Sequence, residues 1–289
     1  MKNSCDHCGQ RSVSMNKMGV VIKSCSVLVL VLLCQIDSAW SITLDEELTI
    51  TYSQKLTLDK FREIVGPRLP HEYMKEDIYL IRWLRAQGFD LKKSEQMIMQ
   101  NLKWREDNKM DGIHEENWDD MEAEYPYHLD GLDKRGQPVI TGNIGDWDLR
   151  RASVTGRIQR VLRYLDKAMD EATIKIRHMQ SEGKNVTRFF FIVNLDNFNL
   201  AQHTCAPCAA GFLQFLRSYE NHFPGSADHI LMINVSPLFE FVLQVVKSTV
   251  TPQTREAMHV FGKNKPLWQK YVLDFIDKNQ LTQEYGGTK

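Results

Sequence analysis

The chain has 289 residues, with 36 Lys and Arg against 37 Asp and Glu, so its formal net charge is −1. Its 43% hydrophobic and 25% charged residues fit a globular protein with a full-sized core, which excludes wholesale disorder and a polytopic membrane protein. That charge balance offers no basic footprint for phosphate, so nucleic acid is excluded as a partner, and six cysteines are too few for a disulfide-built scaffold.

Residues 1–41 read as a leader. Residues 18–23 are short and basic, residues 27–33 are an unbroken apolar run, and Ala39-Trp40-Ser41 offers a small-x-small cleavage site. This is the plan of a secretory signal peptide over residues 18–41, too short in its apolar part to span a bilayer. Secretion is therefore expected, with a cytoplasmic protein as the alternative. N-terminal sequencing of secreted material decides between them. Cys5-Asp6-His7-Cys8 holds half the ligands of a zinc site, but no second pair follows at finger spacing, so no metal is expected.

From residue 56 to about 110 the pattern is helical, punctuated by Pro67 and Pro70. Ile78, Leu80, Ile81 and Leu84 recur at helical spacings, and Gly88-Phe89-Asp90 interrupts them. Asp90 is placed to cap a second helix bearing Leu91, Met97, Ile98, Leu102 and Trp104. After Pro126 the texture changes. Gly131-Leu132-Asp133-Lys134-Arg135-Gly136 is a turn that leads into a short strand over residues 138–141. A long amphipathic helix is predicted over 153–179, with Ile158, Val161, Leu162, Leu165 and Met169 on one face. Phe189-Phe190-Phe191-Ile192-Val193 is apolar without alternation, as in a strand buried on both faces. Helix over 211–219, strand over 230–233, helix over 237–250, strand over 258–261 and helix over 266–278 complete the alternation. The fold class is α/β: a helical module over 56–110, then a mostly parallel open sheet flanked by helices over 120–287.

Enzyme signatures are absent. There is no G-x-S-x-G, H-E-x-x-H, Walker loop or G-x-G-x-x-G, and Gly142-Asn143-Ile144-Gly145 is only a partial likeness to a phosphate loop. His222 and His229 read as surface or capping residues. Cys205-Ala206-Pro207-Cys208 admits two readings: a redox-active pair at a helix start, or a structural disulfide in a secreted chain. Asn185-Val186-Thr187 is a candidate glycosylation triplet. Residues 237–250 are unusual, with Phe239, Val242, Leu243 and Val246 on one stripe and Leu238, Phe241 and Val245 on another. A helix apolar nearly all round is either buried in the core or alternates between protein and lipid, and both readings stand.

Five collinear strings resemble the CRAL-TRIO lipid-binding family, whose members include phosphatidylinositol-transfer, tocopherol-transfer and retinaldehyde-binding proteins. They are Asp77-Ile78-Tyr79-Leu80-Ile81-Arg82-Trp83-Leu84-Arg85-Ala86 with Phe89-Asp90, the run from Gly131 to Val139, His222-Phe223-Pro224, Ile233-Asn234, and Glu284-Tyr285-Gly286-Gly287. The resemblance as a whole covers roughly residues 56 to 287. The resemblance implies a sheet floor and a gate helix closing over one apolar ligand, exchanged at a transient contact with a membrane surface. Lys247 matches a lysine that phosphoinositide-binding members use for the headgroup, while the acidic partner position falls at Gln214. Ser226-Ala227-Asp228-His229 replaces the basic cluster of tocopherol-transfer members.

On this plan the candidate ligand-binding residues fall element by element. Tyr164 and Leu165 lie on the long helix, Phe191, Val193, Leu231 and Ile233 on the central strands, and Phe212 and Phe215 on the helix between them. Phe239, Val242 and Val246 lie on the gate, with Lys247 at its end. A non-enzymatic monomer is expected, with no catalytic residue and no cofactor besides a bound lipid. The alternatives are an interaction module of the same fold with a filled pocket, and a redox protein built on Cys205 and Cys208.

Overall fold

The computed structural model describes residues 43–289. The signal segment and the pair Cys5 and Cys8 lie outside the described residues. Three helices open the fold: α1 (Tyr52–Val65), α2 (Asp77–Ala86) and α3 (Leu91–Asp107). Thr51 and Gln54 form a reciprocal capping box at the start of α1, and Asp90 caps α3 by accepting from the Lys93 N–H, as its position predicts. Phe61, Leu80, Ile81, Leu84 and Ile98 meet without solvent exposure in the core of this module. Ahead of it, the short helix Leu44–Glu47 buries Glu47 between Arg85 of α2 and Arg188, each 2.8 Å away.

The sheet has five strands in sequential order: β1 (Tyr127–Leu132), β2 (Pro138–Asn143), β3 (Phe189–Asn194), β4 (Ala227–Val235) and β5 (Met258–Gly262). β1 is an antiparallel edge strand, and the other pairings are parallel. The sequence places a turn where β1 ends, but β1 itself escapes it. His128, Asp130 and the glycine at 131 break any apolar alternation, as befits an edge strand with one wet side.

An unreversed strand order with right-handed crossovers sends every connecting helix to one face of the sheet. These helices are α4 (Ile158–Ser181), α5 (Ala206–His222) and α6 (Glu240–Thr249). The predicted helix over 153–179 is two helices, because Thr155-Gly156, with Gly156 at φ +72°, ends a short segment Leu149–Val154 before α4 begins. The opposite face is covered by the last helix, α7 (Lys265–Phe275), and the tail. There Val139, Phe190, Ile192, Leu231 and Ile233 pack under Trp268, Val272, Phe275, Leu281 and Tyr285. With both faces covered, the strands read as solid apolar runs.

The carboxyl ends of the three central strands are tied side to side. Asn194 Nδ2 donates to Asn143 Oδ1 and Glu284 Oε1, Asn234 Nδ2 donates to Asn194 Oδ1, and the Trp268 indole donates to Asn234 Oδ1. The Tyr285 hydroxyl completes this amide ladder by donating to Asn143 Oδ1 at 2.6 Å. Gly287 is required here, since a Cβ would lie 1.9 Å from the Leu281 carbonyl oxygen. Gly145 is pressed just as hard against the Asp196 carbonyl. The Gly142–Gly145 loop therefore closes on the chain after β3, with no open cradle for phosphate.

Candidate functional site

Between the sheet and α4, α5 and α6 lies a cavity of about 520 Å³. That is within the ~300–1,000 Å³ usual for small-molecule sites. Strand parity builds its floor. Phe191 pairs in register with Ile230 and Val193 with Met232, so these four side chains share the helix-facing side. Phe191, Val193 and Ile230 are only half-buried in otherwise sealed strands, and the cavity is the space that leaves them so. Ile158, Leu162, Leu165 and Met169 of α4 form one wall, and Phe212, Phe215 and Leu216 of α5 another. The turn Pro237–Phe239 and helix α6 form the roof through Phe239, Val242, Val245 and Val246.

Of the predicted residues, Leu165, Phe191, Val193, Phe212, Phe215, Phe239, Val242 and Val246 line this space. Four do not. Leu231 and Ile233 point to the opposite face, into the core beneath α7. A register shift between Phe189 and Phe190 changes the pairing with β4, and an unbroken apolar run carries no mark of parity. Tyr164 turns away from the cavity and packs against Trp118 and Tyr127. Lys247 is on the exposed side of α6 rather than among the lining residues. The helix is also less uniformly covered than its composition implies. Leu243 and Val246 are buried, whereas Phe241 is 75% exposed, as is Leu238 at 60% in the turn just before the helix.

Sequence reasoning missed Trp147, Phe198, Ile230, Met232, Phe241 and Val245. Trp147 and Phe198 carried a usable signal, since each is a lone large aromatic in a loop otherwise rich in Asp, Asn and Gly. Phe198 stacks edge-on against Phe239 at 5.0 Å and so joins the loop after β3 to the roof.

Among the described residues, the lining contains no Asp, Glu, Lys or Arg. Its polar side chains are few, and most are engaged by the fold. The His203 ring nitrogens face the Asn199 and Ile144 carbonyls, the Thr204 hydroxyl donates to the Leu200 carbonyl, and the Tyr219 hydroxyl accepts from the Ala227 N–H. Cys208, also in the wall, is joined to Cys205 by a disulfide across the first turn of α5. The Trp147 indole N–H is different: it is buried without a hydrogen-bond partner among the described residues.

A polar groove of about 280 Å³ backs onto the cavity and shares Leu162 and Phe215 with it. Gln214 pairs there with Gln159 through reciprocal amide bonds, and Ser218 donates to Asp166 at 2.6 Å. Burial pushes the Asp166 carboxyl up to about 6. His222, read from sequence as a surface residue, is stacked on Trp104 at 3.9 Å, and burial lowers its imidazole to about 4. His229 is likewise interior, packed on Phe190. Asn185 is exposed, and its side chain accepts from the Leu44 N–H. No cluster of His, Cys, Asp or Glu able to hold a metal ion occurs among the described residues.

The architecture is shared with the crystal structure of Sfh5, which aligns at a TM-score of 0.64 over 82% of this chain and 88% of that one. At 14% identity this likeness concerns the fold alone. In sequence the chain is 29% identical over 247 residues to phosphatidylinositol/phosphatidylcholine transfer protein SFH7 of Arabidopsis thaliana, covering 80% of this chain and 43% of the relative. It is 28% identical over 249 residues to SFH12 of the same organism, again covering 80% and 43%. The chain thus spans less than half the length of these relatives. The model of the CRAL/TRIO domain matches residues 122–287, from just before the edge strand to the glycine that seals the tail, and with more than half of its length matched the chain belongs to that family.

Proposed function

We propose that this protein binds a single hydrophobic lipid in the cavity beneath α6 and carries or exchanges it at membrane surfaces, without catalysis. The observation that carries the reading is an apolar cavity of about 520 Å³ whose roof, the turn Pro237–Phe239 and α6, also carries the exposed Leu238 and, at its margin, Phe241. Phospholipid, tocopherol and retinoid classes all fall within it, and the names of the relatives favour transfer over chemistry. A helix with apolar residues on both sides can act as a gate: water opposes its opening, and a bilayer interface relieves that opposition. An unfilled cavity of this size speaks against an interaction module whose pocket is occupied by side chains.

The direct test is organic extraction of the purified protein followed by mass spectrometry, with transfer assayed between donor and acceptor vesicles. Stoichiometric lipid is expected in the extract. Exchange should be much faster when vesicles can touch the protein than across a dialysis membrane. An empty extract together with no uptake from vesicles would sink the reading and leave the interaction module.

A further inference from the structure

The disulfide in the cavity wall is placed unlike a structural brace. Cys205 and Cys208 are three residues apart with Cα atoms 4.9 Å apart, so their bond spans one turn and ties no two elements together. A loop that short restrains the unfolded chain least, so the bond adds less to stability than one joining distant segments. Its two halves also stand in different surroundings. Cys208 is 1% exposed and belongs to the cavity wall, whereas Cys205 is half-buried and is followed by the exposed Ala206 and Pro207. An incoming thiol therefore reaches the bond from the Cys205 side.

Cys205 is also the N-cap of α5, a helix of 17 residues. Its Sγ accepts from the Cys208 N–H at 3.3 Å, at the end of the helix where the backbone dipole favours negative charge. A thiolate at Cys205 keeps that bond once the disulfide opens. Stabilising this thiolate favours the reduced form and makes the bond easier to open than a structural disulfide.

We infer that Cys205 and Cys208 form a reversible thiol–disulfide exchange site, a redox function separate from lipid carriage. An external thiolate attacks Cys205 Sγ, the S–S bond breaks, and Cys208 leaves as a thiolate that takes up a proton. A second external thiolate then attacks the external sulfur of the mixed disulfide and releases Cys205 as its thiolate. The pair gains two electrons, and the two external thiols are oxidised to one disulfide. In reverse, the Cys205 thiolate attacks an external disulfide, and Cys208 resolves the adduct.

The test uses glutathione on the full chain. It follows the segment between Arg188 and Arg217, which contains no other cysteine, by differential alkylation and mass spectrometry. Reduced glutathione should open the bond in the native protein at least as fast as in concentrated urea, because access and the N-cap both belong to the folded state. Two variants then assign the sulfurs. At neutral pH, oxidised glutathione should form a stable adduct on Cys205 in Cys208→Ser about tenfold faster than on Cys208 in Cys205→Ser. Serine is itself a favoured N-cap, so Cys205→Ser preserves the helix start. The wild-type rates need no variant and decide the matter if either variant fails to fold. Opening that urea accelerates about tenfold or more, or adducts that form equally fast on the two cysteines, would overturn the inference and leave a structural disulfide. The lipid-carrier reading is untouched by either result, since its own test is extraction and transfer.

Discussion

Asp166 and His222 border the same groove and are displaced in opposite directions by the same cause, partial removal from water. Asp166 is raised to about 6 from 3.8, so the folded chain holds a proton that the unfolded chain releases. Its contribution to stability is full below 3.8 and lost as pH rises through about 6. Asp166→Asn should therefore stabilise the fold at neutral pH by on the order of 1 kcal/mol after allowance for partial exposure, seen as a higher melting temperature. The gain should vanish in melts run near pH 4. A gain independent of pH would assign the effect to packing instead. His222 runs the other way. Lowered to about 4 from 6.5 by burial and by Arg105, it contributes stability above 6.5 that is lost as pH falls through about 4. His222→Gln should flatten the acid limb of the same melts between those values. Neither behaviour was legible in the sequence, because α4 and α5 bring together residues that the chain keeps apart, and a lone histidine near a helix end carries no sign of the Trp104 ring that covers it.

At the scale of elements, the helices and strands that matter to the cavity were legible, and the errors have physical sources. Buried strands such as β3 and β4 announce themselves by unbroken apolar runs, but the same runs conceal which side chains face which layer. Phe191 and Val193 were placed on the correct side, while β4 was placed one residue out of phase, so Leu231 and Ile233 stood where Ile230 and Met232 belong. For the roof segment the composition shows apolar residues on several sides, and the structure divides them into a buried set, an exposed Leu238 and a Phe241 that is exposed at the cavity margin. That division gives a test. Leu238→Asp alters a 60% exposed side chain outside the cavity lining, so stability should change by less than about 0.5 kcal/mol. Vesicle-to-vesicle transfer should nonetheless fall several-fold, because a carboxylate at that position resists entry into the bilayer interface. Unchanged transfer would mean that the roof segment does not lead the approach to membranes.

Across the whole molecule, the helical module and the sheet are joined through Glu47, which is 2% exposed and shared by Arg85 and Arg188. Removing one member of a buried ionic group leaves the others uncompensated, so Glu47→Ala should cost about 3–5 kcal/mol in urea unfolding. A loss below about 1 kcal/mol would show that water already satisfies both guanidinium groups. No periodicity marks this carboxylate, whose role depends on two partners distant in sequence.

The amide ladder at the carboxyl ends of β2, β3 and β4 carries a consequence for how this protein can change its ligand. Open parallel sheets ordinarily bind in the crevice outside those ends, where loops can be exchanged while the scaffold is left alone. Here Asn143, Asn194 and Asn234 are committed to one another and to the tail, so that crevice is closed. On the proposed reading, binding lies on the broad side of the sheet, where the residues that would select a ligand are the same ones that hold the layers together. A new specificity must then be written into the core itself, one packed side chain at a time, and each revision that shifts the cavity also perturbs the fold that encloses it.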